Sequence, residues 1–358
     1  MSTTDIFLDH LEKRLNIHVV QQILRESKLL SARSWTELKA IVKGAVKADP
    51  ALLDRLKNAL VMQQLCDLKA VAFYEIPSHA VAGIRSALVK VSLSSSPLTT
   101  AFPIEVSNSE LELDDGQLKV IHKFEDAFGC GMVLSRRRRF SISKEYAHGS
   151  LSADVQKEFP NAEKIIEVTY LNKQTFDVVY LNKASGILEV RADLTRESGQ
   201  QQTAGQLLRS IDDLRAYAGG FVSKAVKGYN LGHPINLLPL AKKVYEDSSG
   251  LIKKIGFATE EESVKRESMR AGVDLRTELF HKTGAKAIDH KMSIFEVAIQ
   301  WQMSPAVSGG SSSKPEIHIP GSYRDYVKVG ARTDFLLVKG VRNYADSDFI
   351  VSKIISYK

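Results

Sequence analysis

The sequence has few cysteines, no long apolar run and no pattern typical of a secretory leader. Cys66 and Cys130 are its only cysteines, too few for a disulfide framework and without the spacing of a zinc site. No apolar stretch approaches the roughly 20 residues that a membrane helix needs. The first thirty residues carry acidic and basic side chains throughout, unlike a signal peptide. We therefore expect a cytoplasmic protein that does not enter a membrane.

The motifs of nucleotide and metal chemistry are missing as well. There is no GxxxxGK[ST] phosphate loop and no GxGxxG sequence after a predicted strand. The nine histidines are scattered, and His281 and His290 have no cysteine or paired acid at ligand spacing. The sequence therefore predicts neither a cofactor nor a bound metal ion.

What is present is the composition of a folded protein with a basic surplus. Of the 358 residues, 44% are hydrophobic and 25% are charged, which excludes a largely disordered chain and allows two domains. The formal net charge of +7 favours an anionic partner. The surplus is most concentrated between Met132 and Lys144, where five bases occur without an acid.

The N-terminal region has the pattern of four short helices. Apolar residues recur there at helical spacing, Ser34 and Glu37 have the spacing of a capping box, and Asp49 followed by Pro50 is a typical helix start. We predict that residues 1–66 form a small helical bundle, a candidate module for a protein partner or for self-association.

After Cys66 the apolar period changes to two, which predicts strands. The clearest signal is a three-strand meander from Ile165 to Asp193, with turns at residues 172–174 and 182–186. Further strands are predicted at residues 68–76, 87–93, 118–122, 132–142, 294–301, 335–341 and 349–355. Helices are predicted at 204–218, ending at Gly219 and Gly220, and at 237–246, with a hairpin loop at 308–313. The predicted fold class is α+β, with a larger, mainly antiparallel sheet domain at residues 67–358.

The most unusual feature is a run of four arginines, Arg136, Arg137, Arg138 and Arg139, inside a predicted strand. On a strand, alternate side chains point to opposite faces. Guanidinium groups match phosphate oxygens in charge and geometry, so this run and Lys144 are candidate contacts for a DNA or RNA backbone. The alternative is a solvated edge strand whose charges prevent aggregation and pair with acids near residues 114–115.

Aromatic residues near bases offer a second, weaker indication of nucleic-acid binding. Phe140 and Tyr146 lie close to the arginine run, and Tyr323, Tyr326 and Tyr344 lie among other basic residues. Such rings can stack on nucleobases in proteins that bind single strands. Because aromatic residues are only 8% of the chain, ordinary core packing accounts for most of them.

Asp177, Glu189 and Arg191 are the candidate catalytic residues of a metal-dependent nuclease. Such enzymes place an aspartate on one strand and a Glu-x-Lys sequence on the next, and the two acids bind a divalent ion. We expect the two acids to lie opposite each other on adjacent strands. Arg191 stands where the catalytic lysine would be, and arginine does not readily lose a proton.

The preferred hypothesis is a non-catalytic protein that binds nucleic acid, or another polyanion, through its basic sheet domain, with the helical region as an adaptor. The alternatives are the nuclease centred on Asp177 and Glu189 and a structural subunit of a protein assembly. Membership of a larger complex, such as an antiviral defence system, is a hypothesis of context that no residue of the sequence supports.

Overall fold

The computed structural model describes residues 3–30, 32–194, 204–270, 272–304 and 312–358, and it confirms the α+β class. The α-helices are α1 Thr3–Arg14, α2 Ile17–Glu26, α3 Trp35–Ala45, α4 Pro50–Cys66, α5 Ser78–Lys90, α6 Pro97–Ala101, α7 Asn108–Glu112, α8 Ala153–Glu158, α9 Ala204–Ala225, α10 Ala241–Glu246, α11 Leu279–Ala287, α12 Tyr323–Tyr326 and α13 Tyr344–Tyr357. None of the described helices has the length and apolar character needed to cross a membrane.

The strands form one ten-stranded sheet in which every neighbouring pair is antiparallel. They are β1 Lys69–Glu75, β2 Lys119–Glu125, β3 Gly129–Ala147, β4 Lys164–Asn182, β5 Ile187–Asp193, β6 Leu251–Ala258, β7 Val264–Ser268, β8 Ser293–Gln300, β9 Glu316–Ile319 and β10 Leu336–Lys339. Their order across the sheet is β2-β3-β4-β5-β1-β10-β9-β8-β6-β7.

Apolar residues are buried on both faces of the sheet, because side chains alternate along each strand. One cluster of buried residues joins the sheet to α10, α13 and the C-terminal end of α4. The second joins the opposite face to α5 and α9, through residues such as Ile84, Ile211 and Leu214. The helix α9 therefore lies on the face that also carries alternate residues of β3 and β4.

The four N-terminal helices pack around an apolar cluster of their own, as the sequence predicts. Their caps differ in detail from the prediction. The Ser34 hydroxyl accepts a 3.3 Å hydrogen bond from the Glu37 N–H, but the Glu37 carboxylate accepts from the N–H of Arg33 rather than of Ser34. Asp49 makes no side-chain cap and pairs with Arg55 at 2.6 Å.

Side-chain contacts, as well as the continuous chain, join the helical region to the sheet. Arg14 of α1 lies with a 10% exposed side chain against Asp193 at the end of β5, at 3.1 Å. Leu65 and Cys66 at the end of α4 belong to the same buried cluster as the sheet residues. The separability of residues 1–66 stays a prediction, and these contacts are what a truncation after residue 66 would remove.

Two predicted strands are helices in the structure. Residues 87–93 mostly belong to α5, which buries Ala80, Ile84 and Leu88 at intervals of four residues. Residues 349–355 belong to α13, which buries Ile350 and Ile354 at the same interval. In both segments the strand prediction was wrong because β-branched residues suggested a period of two, whereas the buried positions follow one helix face.

One predicted turn and one predicted helix end are also absent from the structure. Residues 172–174 form no turn, since they pair in register with Arg137–Arg139 inside the continuous strand β4. Gly219 and Gly220 do not end α9, which continues to Ala225 and buries Val222. The turn at residues 182–186 is present, with Gly186 at φ +67. The predicted loop at 308–313 lies outside the described residues except for Ser312 and Ser313.

The long strands β3 and β4 extend beyond the rest of the sheet. On β3 the pairing with β2 ends at Ser135, and on β4 the pairing with β5 covers only Val178–Leu181. From residue 136 to residue 147, β3 pairs with β4 alone. Residues 136–175 thus form a two-stranded projection, which we call the arm, and the arginine run lies at its base.

Candidate nucleic-acid interface

A pocket of 380 Å³ lies at the base of the arm, between β3, β4 and the first turns of α9. Its lining is dominated by guanidinium groups and polar side chains rather than by apolar ones. The lining residues are Arg136, Arg137, Arg138, Arg139, Phe140, Ser141, Tyr170, Gln206, Arg209, Ser210 and Asp213. Five of these are arginines and one is an acid, so the lining carries a formal charge of +4. All four arginines predicted from the sequence contribute to it.

Arg138 is the structural member of the run. Its side chain is 7% exposed and donates two hydrogen bonds, of 2.9 and 2.7 Å, to the carboxylate of Asp177. A third, of 3.2 Å, goes to the main-chain oxygen of Asp193. Both bonds to Asp177 come from one nitrogen, Nη2, and charge-assisted hydrogen bonds are about twice as strong as neutral ones. Arg138 is therefore neutralised by Asp177 and anchors the arm to the sheet.

Arg136 has the same orientation as Arg138 but a more accessible partner. It donates a 2.8 Å bond to Asp213 of α9, whose own side chain is 57% exposed. The Nε atoms of Arg136 and Arg138 are both buried, and neither has a hydrogen-bond partner within the described parts of the chain. Buried donors are normally paired, so these two Nε atoms are exceptions within the lining.

Arg137 and Arg139 differ from each other in exposure. Arg137 donates a 2.6 Å bond to the main-chain oxygen of Glu112, and its N–H donates to Asp114 at 2.9 Å. The acidic-segment alternative expected Asp114 to pair with the charge of an arginine side chain. The Asp114 carboxylate instead accepts a hydrogen bond from the main-chain N–H of Arg137. Arg139 is exposed and stacks over the ring of Tyr170, with 3.9 Å between the guanidinium carbon and the ring centroid.

The edge-strand alternative describes only part of β3. Up to Ser135 this strand is interior, with β2 on one side and β4 on the other. Only within the arm does one side of β3 lack a neighbouring strand among the described residues. Lys144 lies in this outer part, with its Nζ 4.6 Å from the ring of Tyr146, and it does not line the pocket.

The helix α9 contributes residues to the pocket that were not predicted from the sequence. Gln206, Arg209, Ser210 and Asp213 line the pocket from this helix, and Gln206 donates a 2.9 Å bond to the Ser141 hydroxyl. Their spacing of three and four residues is that of one helix face. This polar stripe beside the buried stripe of α9 is visible in the sequence, but nothing local to it indicates that the arginine run lies opposite.

The candidate nuclease residues do not meet. The register places Tyr180, not Asp177, opposite Glu189. Strand alternation puts Asp177 on the face of Val179 and Leu181, and Glu189 on the other face. The expectation that the two carboxylates lie opposite each other was therefore wrong.

Each of these acids has a local partner instead. Asp177 is fully buried and accepts bonds from Arg138 and from the Asp193 N–H, and Glu189 is 3.0 Å from Arg191. Burial raises the pKa of Glu189, and the nearby Arg191 offsets this only in part. In the described ranges no three His, Cys, Asp or Glu side chains are grouped as metal ligands.

A buried ion cluster supports the base of the arm from the opposite face. The Asp193 carboxylate accepts bonds from Lys69 at 3.0 Å, Arg14 at 3.1 Å and the Phe176 N–H at 3.0 Å. Burial alone would raise the pKa of Asp193, but Lys69 and Arg14 outweigh it and lower the pKa to about 2. Because Lys69 is completely buried, Asp193 supplies the charge that this lysine requires.

No protein-family model matches the chain, and the search of the curated proteins found no match. The arm and α9 are therefore the grounds on which its function can be inferred. They form a concave cationic surface beside an exposed aromatic ring, which suits an anionic ligand that also carries planar groups.

Proposed function

We propose that the protein binds DNA or RNA through the base of the arm. The observation that carries the proposal is the convergence of five arginines on one pocket that has a single acid in its lining. When Asp177, which pairs with Arg138, is included, the local formal charge is still +3. Arginine clusters of this kind bind phosphate groups through charge and through their forked hydrogen bonds.

The arm also offers surface that suits nucleobases. Ile166, Val168 and Tyr170 are alternate residues of β4, and they are 52%, 48% and 58% exposed. Alternation places them on one face of the arm, where Arg139 stacks on the Tyr170 ring. A strand of nucleic acid has both phosphates for the arginines and flat bases for this face.

These contacts predict weak sequence preference. Phosphate contacts position a nucleic acid without reading its bases, and stacking accepts every base. We further propose that the N-terminal helices serve as an adaptor for a protein partner or for self-association. Leu30, which follows α2 and is 81% exposed, is an apolar side chain available for such a contact.

The proposal predicts binding that is steeply dependent on salt. With roughly four phosphate contacts, from the pocket arginines other than Arg138, affinity for a single strand should fall about 50-fold between about 50 and 200 mM salt. Fluorescence anisotropy with labelled oligonucleotides of different sequences would measure this. Dissociation constants should agree within a few-fold across sequences. No detectable binding at low salt would exclude the proposal and favour a structural subunit that meets acidic protein.

A further inference from the structure

The arginines at the base of the arm line a concave pocket, partly open to solvent, as well as forming a basic surface. The pocket measures 380 Å³, within the range of sites that take small ligands, and its walls belong to two elements, the arm and α9. A flat basic strip would be sufficient for contacts along a continuous strand. A pocket of this size can instead surround one nucleotide.

Two of the arginines in the pocket lining, Arg136 and Arg138, are held by acids of the fold. Arg138 is more than nine-tenths buried and is fixed by Asp177, yet its Nε atom has no acceptor in the described ranges of the chain. The same holds for the Nε atom of Arg136, the adjacent side chain on that face. Both arginines line the pocket, and Asp213 is the one acid among the lining residues, so the lining keeps a surplus of positive charge.

An internal phosphate and a terminal phosphate of a strand differ in their number of ester bonds and in their charge. A phosphate within a strand has one negative charge and two ester bonds, so the chain must enter and leave the pocket. A terminal phosphate has a single ester bond, three free oxygens and close to two negative charges, as other phosphate monoesters do. The second form needs only one exit and fits better the surplus of positive charge in the lining.

We propose that the pocket binds the phosphate-bearing end of a nucleic-acid strand, an inference that rests on the proposed function and specifies its ligand. The terminal phosphate contacts Arg136 and Arg209, while Arg138, held by Asp177, forms part of the adjoining wall. The terminal base contacts Tyr170, whose ring is already covered on one side by Arg139. The remainder of the strand continues along the arm towards Lys144.

The test compares three single-stranded 12-mers of one sequence, with a 5′-phosphate, with a 3′-phosphate, or with hydroxyl groups at both ends. We expect one phosphorylated form to bind about tenfold more tightly than the hydroxyl form, the scale of one charge-assisted hydrogen bond. A substitution of the exposed Arg209 tests whether the pocket is responsible for this preference. Arg209→Ala should reduce the preference to less than about threefold, while Lys242→Ala, a 68% exposed lysine on α10, should leave it unchanged.

The outcomes separate this inference from the proposed function. Equal binding of all three strands would overturn end recognition and leave general nucleic-acid binding standing. No binding of any strand would overturn both. AMP, added as a competitor, distinguishes a strand end from a free nucleotide, and AMP that binds as tightly as the phosphorylated 12-mer would overturn the assignment to a strand.

Discussion

Replacing Arg139 and Arg209 together by glutamate should weaken nucleic-acid binding on the order of 100-fold at moderate salt. Both side chains are exposed and line the pocket, so each substitution removes a phosphate contact and adds a repulsive charge. The loss should be similar for all sequences, because these contacts do not read bases. Anisotropy titrations on the variant and the unmodified protein would measure the ratio of dissociation constants.

The matched control changes the same net charge at another place. Lys242 and Lys291 are 68% and 57% exposed, on α10 and just before β8, and replacing both by glutamate gives an equal change of four charge units. This control should lose less than about fivefold in affinity, because exposed charges distant from the site are screened by salt. Equal losses in the two variants would show that net charge, not the arm, determines binding.

Arg138 is unsuitable for such a test. A glutamate at this position would be buried beside Asp177 and would replace an ion pair by two like charges. Loss of binding would then report unfolding rather than a lost phosphate contact. Arg139 and Arg209 avoid this difficulty, since neither has a buried acid among its described contacts.

The second large effect concerns stability. Asp193→Asn should lower the free energy of unfolding by about 3–5 kcal/mol at neutral pH, because it removes one partner of a buried charge pair and leaves Lys69 without it. Chemical denaturation would measure the change. Asp212→Asn is the control, since Asp212 is 66% exposed and pairs only weakly with Arg215 at 3.5 Å, and it should cost less than about 0.5 kcal/mol.

The same residue predicts part of the acid sensitivity. The pKa of Asp193 is lowered to about 2 in the folded protein from an ordinary value of 3.8. Its contribution, about 2 kcal/mol by linkage, is therefore complete above pH 3.8 and is lost as the pH falls from there through 2. Asp193→Asn should lack this component of the pH dependence. An unchanged acid profile would contradict the assigned role of Asp193.

The parts of the fold that sequence patterns predicted are those fixed by local interactions. The helices before Cys66 are marked in the sequence by apolar residues at helical spacing and by recognisable caps. The strand β1 is itself a run of buried residues. The segments predicted wrongly, at residues 87–93 and 349–355, are short and rich in β-branched residues. There the tertiary contact of one helix face outweighs the local preference for strand.

The site was only half predictable for a related reason. The arginine run is visible in the sequence, but its division into a buried Arg138 and an exposed Arg139 depends on Asp177, 39 residues away. Arg209 enters the pocket because α9 packs across the sheet, which no local pattern indicates. The prediction that Asp177 and Glu189 lie opposite each other was wrong because the two side chains point to opposite faces of the sheet. The face of each side chain depends on the register between β4 and β5, which the turn sets.

The most direct test is to locate the bound strand by photo-crosslinking. An oligonucleotide with a photoreactive base, bound at low salt and irradiated, should form adducts that peptide mapping places on Tyr170 and neighbouring residues of the arm or on the start of α9. The same adducts should diminish in the variant with glutamate at positions 139 and 209. Adducts concentrated instead around Tyr323 and Tyr326, or spread evenly over the surface, would contradict binding at the base of the arm.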